Sequence, residues 1–232
     1  QSIGGGGGGG GGNTPILFFS RRVGLNEGRP IPIAGGGRLT GRAGPYSIGL
    51  LNIQARDDTS NAVAPSRATN FSVVRVKRDV LRRSNIGVLY TRRDETTPGG
   101  NPLGETFGVD GLYSLSTSLN VTAYYARTRT NALNAQNDSY LASFDYSDDR
   151  YGLQVQHLKV GENFNPEVGF LRRTDFKRTF ALARFSPRPS RDHMKRIRRF
   201  VYQGNVEYVE NNAGRLDFRE QEGLFQIELQ NS

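Results

Sequence analysis

Beyond Asn13 the chain is a succession of segments in which apolar and polar residues alternate with period two, and no stretch of ten or more residues repeats apolar residues at i, i+3, i+4 and i+7. Successive side chains of an extended strand point to opposite faces, so this periodicity dictates sheet and not helix. Tyr140, Ala142, Phe144 and Tyr146 alternate with Leu141, Ser143, Asp145 and Ser147; Tyr151, Leu153 and Val155 alternate with Gly152, Gln154 and Gln156. Enrichment in Tyr, Phe, Val, Ile and Thr points the same way. The pattern predicts strands at 15–24, 36–43, 46–56, 70–80, 84–93, 105–115, 119–129, 139–147, 150–160, 175–186, 197–209 and 214–230, with at most one helical turn within 190–199.

The connections narrow the architecture further. Short turns at 44–45, 81–83, 116–118 and 148–149 alternate with long polar loops at 57–69, 94–104, 130–138 and 161–174. Strict short–long alternation belongs to an up-and-down antiparallel meander with its long loops at one end, as in transmembrane barrels. A soluble β-sandwich also alternates in polarity. The predicted strands, however, reach roughly the 9–11 residues a spanning strand needs, against a mode of about 5–6 in globular sheets. Tyrosines cluster near strand ends (Tyr46, Tyr113, Tyr146, Tyr151 and Tyr202 among them), as in an interfacial girdle. Gly49, Gly87, Gly108 and Gly152 fall inside strands, where close packing or curvature uses them. After residue 186 the rule weakens, with a medium connection at 187–196 and a short one at 210–213.

Composition excludes several chemistries. The chain has no Cys and two His, at 157 and 193, so no disulfide scaffold, thiolate metal site or three-histidine site can form. Its 31 Lys+Arg against 22 Asp+Glu give a formal net charge of +9. The excess is almost all Arg, which suits nucleic acid, an anionic membrane surface or an acidic ligand. Gly4–Gly12 are nine consecutive glycines. They match neither phosphate-loop pattern, so residues 1–13 are expected to be a flexible segment and 14–232 the folded domain. The chain starts at Gln1 with no basic and apolar leader, which suggests a processed chain or a fragment.

Charges in mid-strand are the candidate functional residues. Arg75 and Lys77 share one face, opposite Val74 and Val76; Asp110 and Asp145 alternate with apolar neighbours. Gln154 and Gln156 share a face, as do Gln203, Asn205 and Glu207. In lipid these nine residues must face the lumen, because an Arg or Lys on the lipid side costs about 2–4 kcal/mol at the midplane. They read either as a network stiffening the wall or as a selectivity surface for a solute. Strand 175–186 resists assignment, since Phe180 and Leu182 share a face with Arg178 and Arg184. The pairs Arg21–Arg22, Arg82–Arg83, Arg92–Arg93, Arg172–Arg173 and Arg198–Arg199 read as strand-end charges gripping lipid phosphates, or as an anion path. Asp57–Asp58, Asp94–Glu95 and Asp148–Asp149 read as turn chemistry rather than calcium sites. No G-x-S-x-G elbow occurs, and His157 lies on an apolar face with Leu153 and Val155.

Several stretches resemble a known kind of protein. ILFFSRRVGL at 16–25, RLTGRAGPYSIGLLNIQ at 38–54, NFSVVRVKRDVLRRSNIG at 70–87 and GENFNPEVGFLRR at 161–173 are similar to a bacterial family of unknown function. In that family an outer-membrane β-barrel follows an N-terminal family-9-type carbohydrate-binding-like module, which has no counterpart here. The resemblance runs from about residue 14 to the end. It implies an outer-membrane location, and it carries no catalytic residues. The strand-like end LFQIELQ lacks the usual terminal aromatic, so a cut inside a larger barrel is expected.

The expectation is therefore an all-β, antiparallel up-and-down meander forming all or part of a transmembrane β-barrel, with about 11–12 strands in this chain. It would be integral to the outer membrane, non-enzymatic and without a cofactor, with outer-membrane lipid and lipopolysaccharide as partners. A saccharide is the expected solute, through the module that precedes such barrels. The alternatives are a soluble, basic, all-β nucleic-acid binder and an outer-membrane hydrolase. Against the former, Arg is spread over every strand and no RNA-binding signature appears.

Overall fold

A computed structural model describes residues 13–26, 29–57, 67–95, 104–130, 135–190 and 196–230. The glycine run, most of the loops at 57–69 and 94–104, part of that at 130–138, and His193 lie outside these residues. The fold is all-β. Two short strands, β1 (Leu25–Asn26) and β2 (Arg29–Pro30), form a small hairpin. Eleven longer ones follow: β3 (Ile33–Ala43), β4 (Tyr46–Ala55), β5 (Thr69–Leu81), β6 (Ser84–Glu95), β7 (Gly104–Ser114), β8 (Leu119–Thr130), β9 (Asp138–Ser147), β10 (Tyr151–Val160), β11 (Phe176–Phe185), β12 (Ile197–Glu210) and β13 (Leu216–Leu229). They lie side by side in chain order in one 11-stranded sheet, with β3 and β13 as its edges. Every register resolved between neighbours in this sheet is antiparallel. The sheet is an up-and-down meander and is not closed. No helix among the described residues is long and apolar enough to cross a membrane.

Eleven of the twelve expected strands are present. The exception is 15–24. Its backbone pairs with the sheet nowhere; it makes one antiparallel bridge, Ile16 with Phe170, and a 3-10 turn at Ser20–Arg22. The run Ile16–Phe19 is apolar without alternation, which suits burial on both sides and not a sheet face. The helical turn expected within 190–199 is also corrected in part: Ile197–Arg199 are strand, and 191–195 lie outside the described residues.

The chain divides into two compact units. The first holds the described residues up to Gly111, with Tyr124–Tyr140 and Val160–Asp175. Its core comes from one face of the sheet and from two non-strand segments. Phe71, Val73, Leu89 and Ala126 are buried on the strands; Leu17, Phe164 and Val168 are buried on segments 13–22 and 161–175. The segments are stitched together by Ile16 N–H to Phe170 O (2.9 Å), Phe170 N–H to Ile16 O (2.7 Å) and Phe19 N–H to Val168 O (2.9 Å). They seat on the sheet where side chains are small: a Cβ on Gly108 of β7 would lie 2.6 Å from Leu17 Cδ1. Two side-chain ties reinforce this cap, Arg93 Nη1 to Glu167 Oε2 at 3.1 Å and Asn165 N–H to Thr128 Oγ1 at 3.2 Å.

The second unit holds Leu112–Ala123, Leu141–Lys159 and the described residues from Phe176 onward. Its buried apolar residues are few: Leu141, Leu158, Phe176, Phe180, Val201 and Val209. Val201 and Val209 lie on the β12 face that also carries Gln203, Asn205 and Glu207, so hydrogen bonds and ion pairs make up much of what holds this face together.

Candidate polar face and cap

The two faces of the sheet exchange character along the strands. On β4, Tyr46, Ile48 and Leu50 are exposed on one face, and the apolar residues then move to the other face as Leu51, Ile53 and Ala55. β5 makes the same switch in reverse: Phe71 and Val73 are buried, whereas Val74, Val76 and Val80 are exposed on the opposite face. On β8, Tyr124, Ala126 and Thr128 are buried while Tyr125, Arg127 and Arg129 are exposed. Near the short turns, therefore, the apolar residues are open to solvent. Near the long loops they turn inward beneath the cap. Where the open face ceases to be apolar it becomes hydrogen-bonded: Asn52 Nδ2 donates to Asn70 Oδ1 (2.9 Å) and Ser72 Oγ (2.8 Å), and Asn70 Nδ2 donates to Gln54 Oε1 (3.1 Å).

The polar face of the first unit holds Arg75, Lys77 and Asp110. Arg75 on β5 reaches across β6 to Asp110 on β7 and makes a bidentate pair, Nη1–Oδ1 at 2.5 Å and Nη2–Oδ2 at 2.8 Å. The strand between offers Gly87, where an added Cβ would lie 2.5 Å from Arg75 Nη2 and 2.7 Å from Nη1. Gly87 thus provides the gap through which the guanidinium passes. Lys77 shares this face and makes no ion pair among the described residues. Replacing Gly87 by Ala is expected to displace the guanidinium and cost about 1.5–3 kcal/mol, the worth of a hydrogen bond to a charged group. The urea midpoint of the folded protein reads this loss. In an Asp110→Asn background the same substitution should cost little more, because the interaction it disturbs is already weakened.

In the second unit the polar face centres on Arg178. Its side chain is 2% exposed. Arg178 Nε donates to Glu207 Oε1 at 2.6 Å and Nη1 to Gln156 Oε1 at 2.7 Å, while the guanidinium carbon sits 5.3 Å from the Phe180 ring centroid. Nη2 is buried and has no hydrogen-bond partner. Asn205 Nδ2 donates to Glu222 Oε2 at 2.9 Å, and Arg198 and Arg199 both hold Glu228. Arg184 lies against Gly152 and donates to the Asp148 carbonyl at 2.6 Å, closing the β9–β10 turn. Gln154 and Gln203 share the faces of Gln156 and Glu207 on their own strands, and Asp145 is half-buried on β9.

Of the nine candidate residues, the structure joins Arg75 with Asp110, brings Gln156 and Glu207 together through Arg178, and links Asn205 to Glu222. Arg178, Glu222, Gly87 and the Arg93–Glu167 tie were not among the candidates. A signal for the face exchange is present in the sequence: apolar doublets Leu50–Leu51, Val73–Val74, Val88–Leu89 and Tyr124–Tyr125 mark the points where the apolar parity changes. Arg178 has no such mark, since its parity places it with Phe180 and Leu182.

The exposed apolar face of the second unit carries an aromatic row across four strands. Ring centroids are 5.3 Å apart for Tyr151–Phe185, 6.3 Å for Phe185–Tyr202 and 5.0 Å for Tyr202–Phe225. Beside it runs an open groove of about 820 Å³, lined in part by Ala183, Gly204 and Gly223, which are neighbours in register. In the same unit His157 Nδ1 lies 2.9 Å from Thr179 Oγ1. The cap of the first unit has a smaller cavity of about 450 Å³ lined by Arg22, Asn163, Arg172 and Thr174, among others. No group of three or more His, Asp or Glu poised to hold a metal occurs among the described residues. No protein-family model, curated protein or solved structure matches the chain.

Proposed function

We propose that this chain forms wall of an integral outer-membrane β-barrel with a polar lumen, which passes a solute or docks it at the cell surface. One observation carries the reading. Near the short turns of both units large apolar side chains are open to solvent, while charged and amide side chains share the opposite face in close pairs. In water this costs free energy twice, through unburied apolar area at about 25 cal/mol per Å² and through partly desolvated charge. In lipid the same arrangement is favourable. On β12 the open face from Phe200 to Tyr208 spans about 26 Å along the strand, at eight rises of about 3.3 Å, comparable with a barrel's apolar band of about 25 Å.

On this reading the exchange of faces marks the edge of the hydrocarbon. In the first unit the turn-side halves of the strands stand in lipid and the loop-side halves beyond it as a water-facing collar, and the 13–22 and 161–175 segments narrow the passage from within. Lumen charges and the cap would select the solute passively. The resemblance to barrels that follow a carbohydrate-binding-like module favours the outer membrane and makes a saccharide the solute class to try first. The reading assigns the chain no catalysis, no cofactor and no nucleic acid.

The test is to fractionate cells producing the protein and run the outer-membrane fraction on gels with and without heating. Recovery there with heat-dependent mobility is the expected result, followed by conductance in planar bilayers. A protein that stays soluble without detergent would sink the barrel reading.

A further inference from the structure

Immediately beyond the apolar rows of the first unit, the open face turns basic on neighbouring strands. Arg92 follows Val88 and Tyr90 on one face of β6, and Arg127 and Arg129 follow Tyr125 on one face of β8. Glu105 of β7 stands between them, with Oε1 3.9 Å from Arg92 Nη1 and Oε2 3.8 Å from Arg129 Nη1. Both distances exceed hydrogen-bond length, so Glu105 gathers the two guanidinium groups without saturating either. It already accepts a hydrogen bond from Tyr90 Oη at 2.8 Å. Asp94 holds one arm of Arg92 at 2.7 Å, and Asn137 Oδ1 accepts from Arg127 Nε at 3.2 Å. Arg129 makes no hydrogen bond among the described residues, and its side chain is 79% exposed.

Three arginines against Asp94 and Glu105 leave the cluster net positive, directly above exposed Phe107, Val109 and Tyr125. A guanidinium fork matches a pair of phosphate oxygens. Cations bordering an aromatic and aliphatic surface match an amphiphile that carries phosphate where its acyl chains begin. We infer that Arg92, Arg127 and Arg129 form a binding site for the phosphate of a membrane lipid whose acyl chains lie along Phe107, Val109 and Tyr125. The inference rests on the sheet being a barrel wall, and it names one partner of that wall.

The experiment reconstitutes the full chain in phosphatidylcholine vesicles doped with either bis-phosphorylated or dephosphorylated lipid A, then weighs the lipid that stays bound on extraction by native mass spectrometry. The wild type should retain the phosphorylated form selectively. The Arg127→Gln/Arg129→Gln variant should bind it about thirtyfold more weakly, at about 1 kcal/mol per arginine near a charged membrane surface. Glu105→Gln removes the competing carboxylate and should bind more tightly. Equal retention of the two lipids, or an unchanged double variant, would overturn the site. So would displacement of the lipid by millimolar inorganic phosphate, which would make free phosphate the ligand. If the wild type inserts into neither kind of vesicle and its gel mobility does not change on heating, the barrel reading falls, a result distinct from insertion without lipid preference.

Discussion

The Arg178→Ala variant should lose about 3–5 kcal/mol of stability, because removing one partner of a buried pair leaves the other charge uncompensated. Arg178 is the largest fully buried side chain among the described residues, and its guanidinium holds Glu207 on β12 and Gln156 on β10 at once. Truncation would strand the Glu207 carboxylate, 23% exposed, on a sheet face with few buried apolar residues. The urea midpoint of protein folded in lipid or detergent reads the loss. The double variant Arg178→Met/Glu207→Leu should recover most of it, since well-packed apolar replacements of a buried ion pair are often neutral or stabilising. A single variant within about 0.5 kcal/mol of wild type, the scatter of ordinary surface substitutions, would show that the pair is not structural.

The second large effect concerns the cap. Phe164 is fully buried there, and Phe164→Ala should cost about 3–5 kcal/mol in lost transfer and cavity terms. The cap's polar ties include Arg93–Glu167, Asn165–Thr128 and Gly161 N–H to Asp138 O, none of which Phe164→Ala removes, so the expected damage is local unseating rather than loss of the strands. Far-UV circular dichroism should keep its β signature, and on the proposed barrel reading single-channel conductance in planar bilayers should rise. Glu167→Gln should raise conductance in the same direction by less, since it weakens one tie and empties no core. Lower stability with unchanged conductance would mean that the cap does not narrow the proposed passage.

Much of this architecture is local in origin. Alternation in segments such as Tyr151–Val155 and the spacing of short turns and long loops placed eleven strands and their order, because both signals lie within a few residues of where they act. Segment 15–24 was misplaced for a related reason. Apolar content without alternation does not distinguish a strand from a segment buried on both sides, and only packing against Gly108 and pairing with Phe170 decided for the latter.

The candidate site was legible by face and not by partner. Period two puts Arg75 and Lys77 on one face of β5, opposite Val74 and Val76. It could not pair Arg75 with Asp110, 35 residues away, since that contact depends on the register of three strands and on the gap left by Gly87. Arg178 was unplaceable for the same reason. A charged residue among apolar neighbours is costly until Glu207 and Gln156 are brought to it, and they lie 29 and 22 positions away in the chain. One-dimensional periodicity is set by backbone geometry and survives without neighbours. The worth of a buried charge is set by the distance to its counter-charge and by the dielectric around it, and these exist only once the strands have paired.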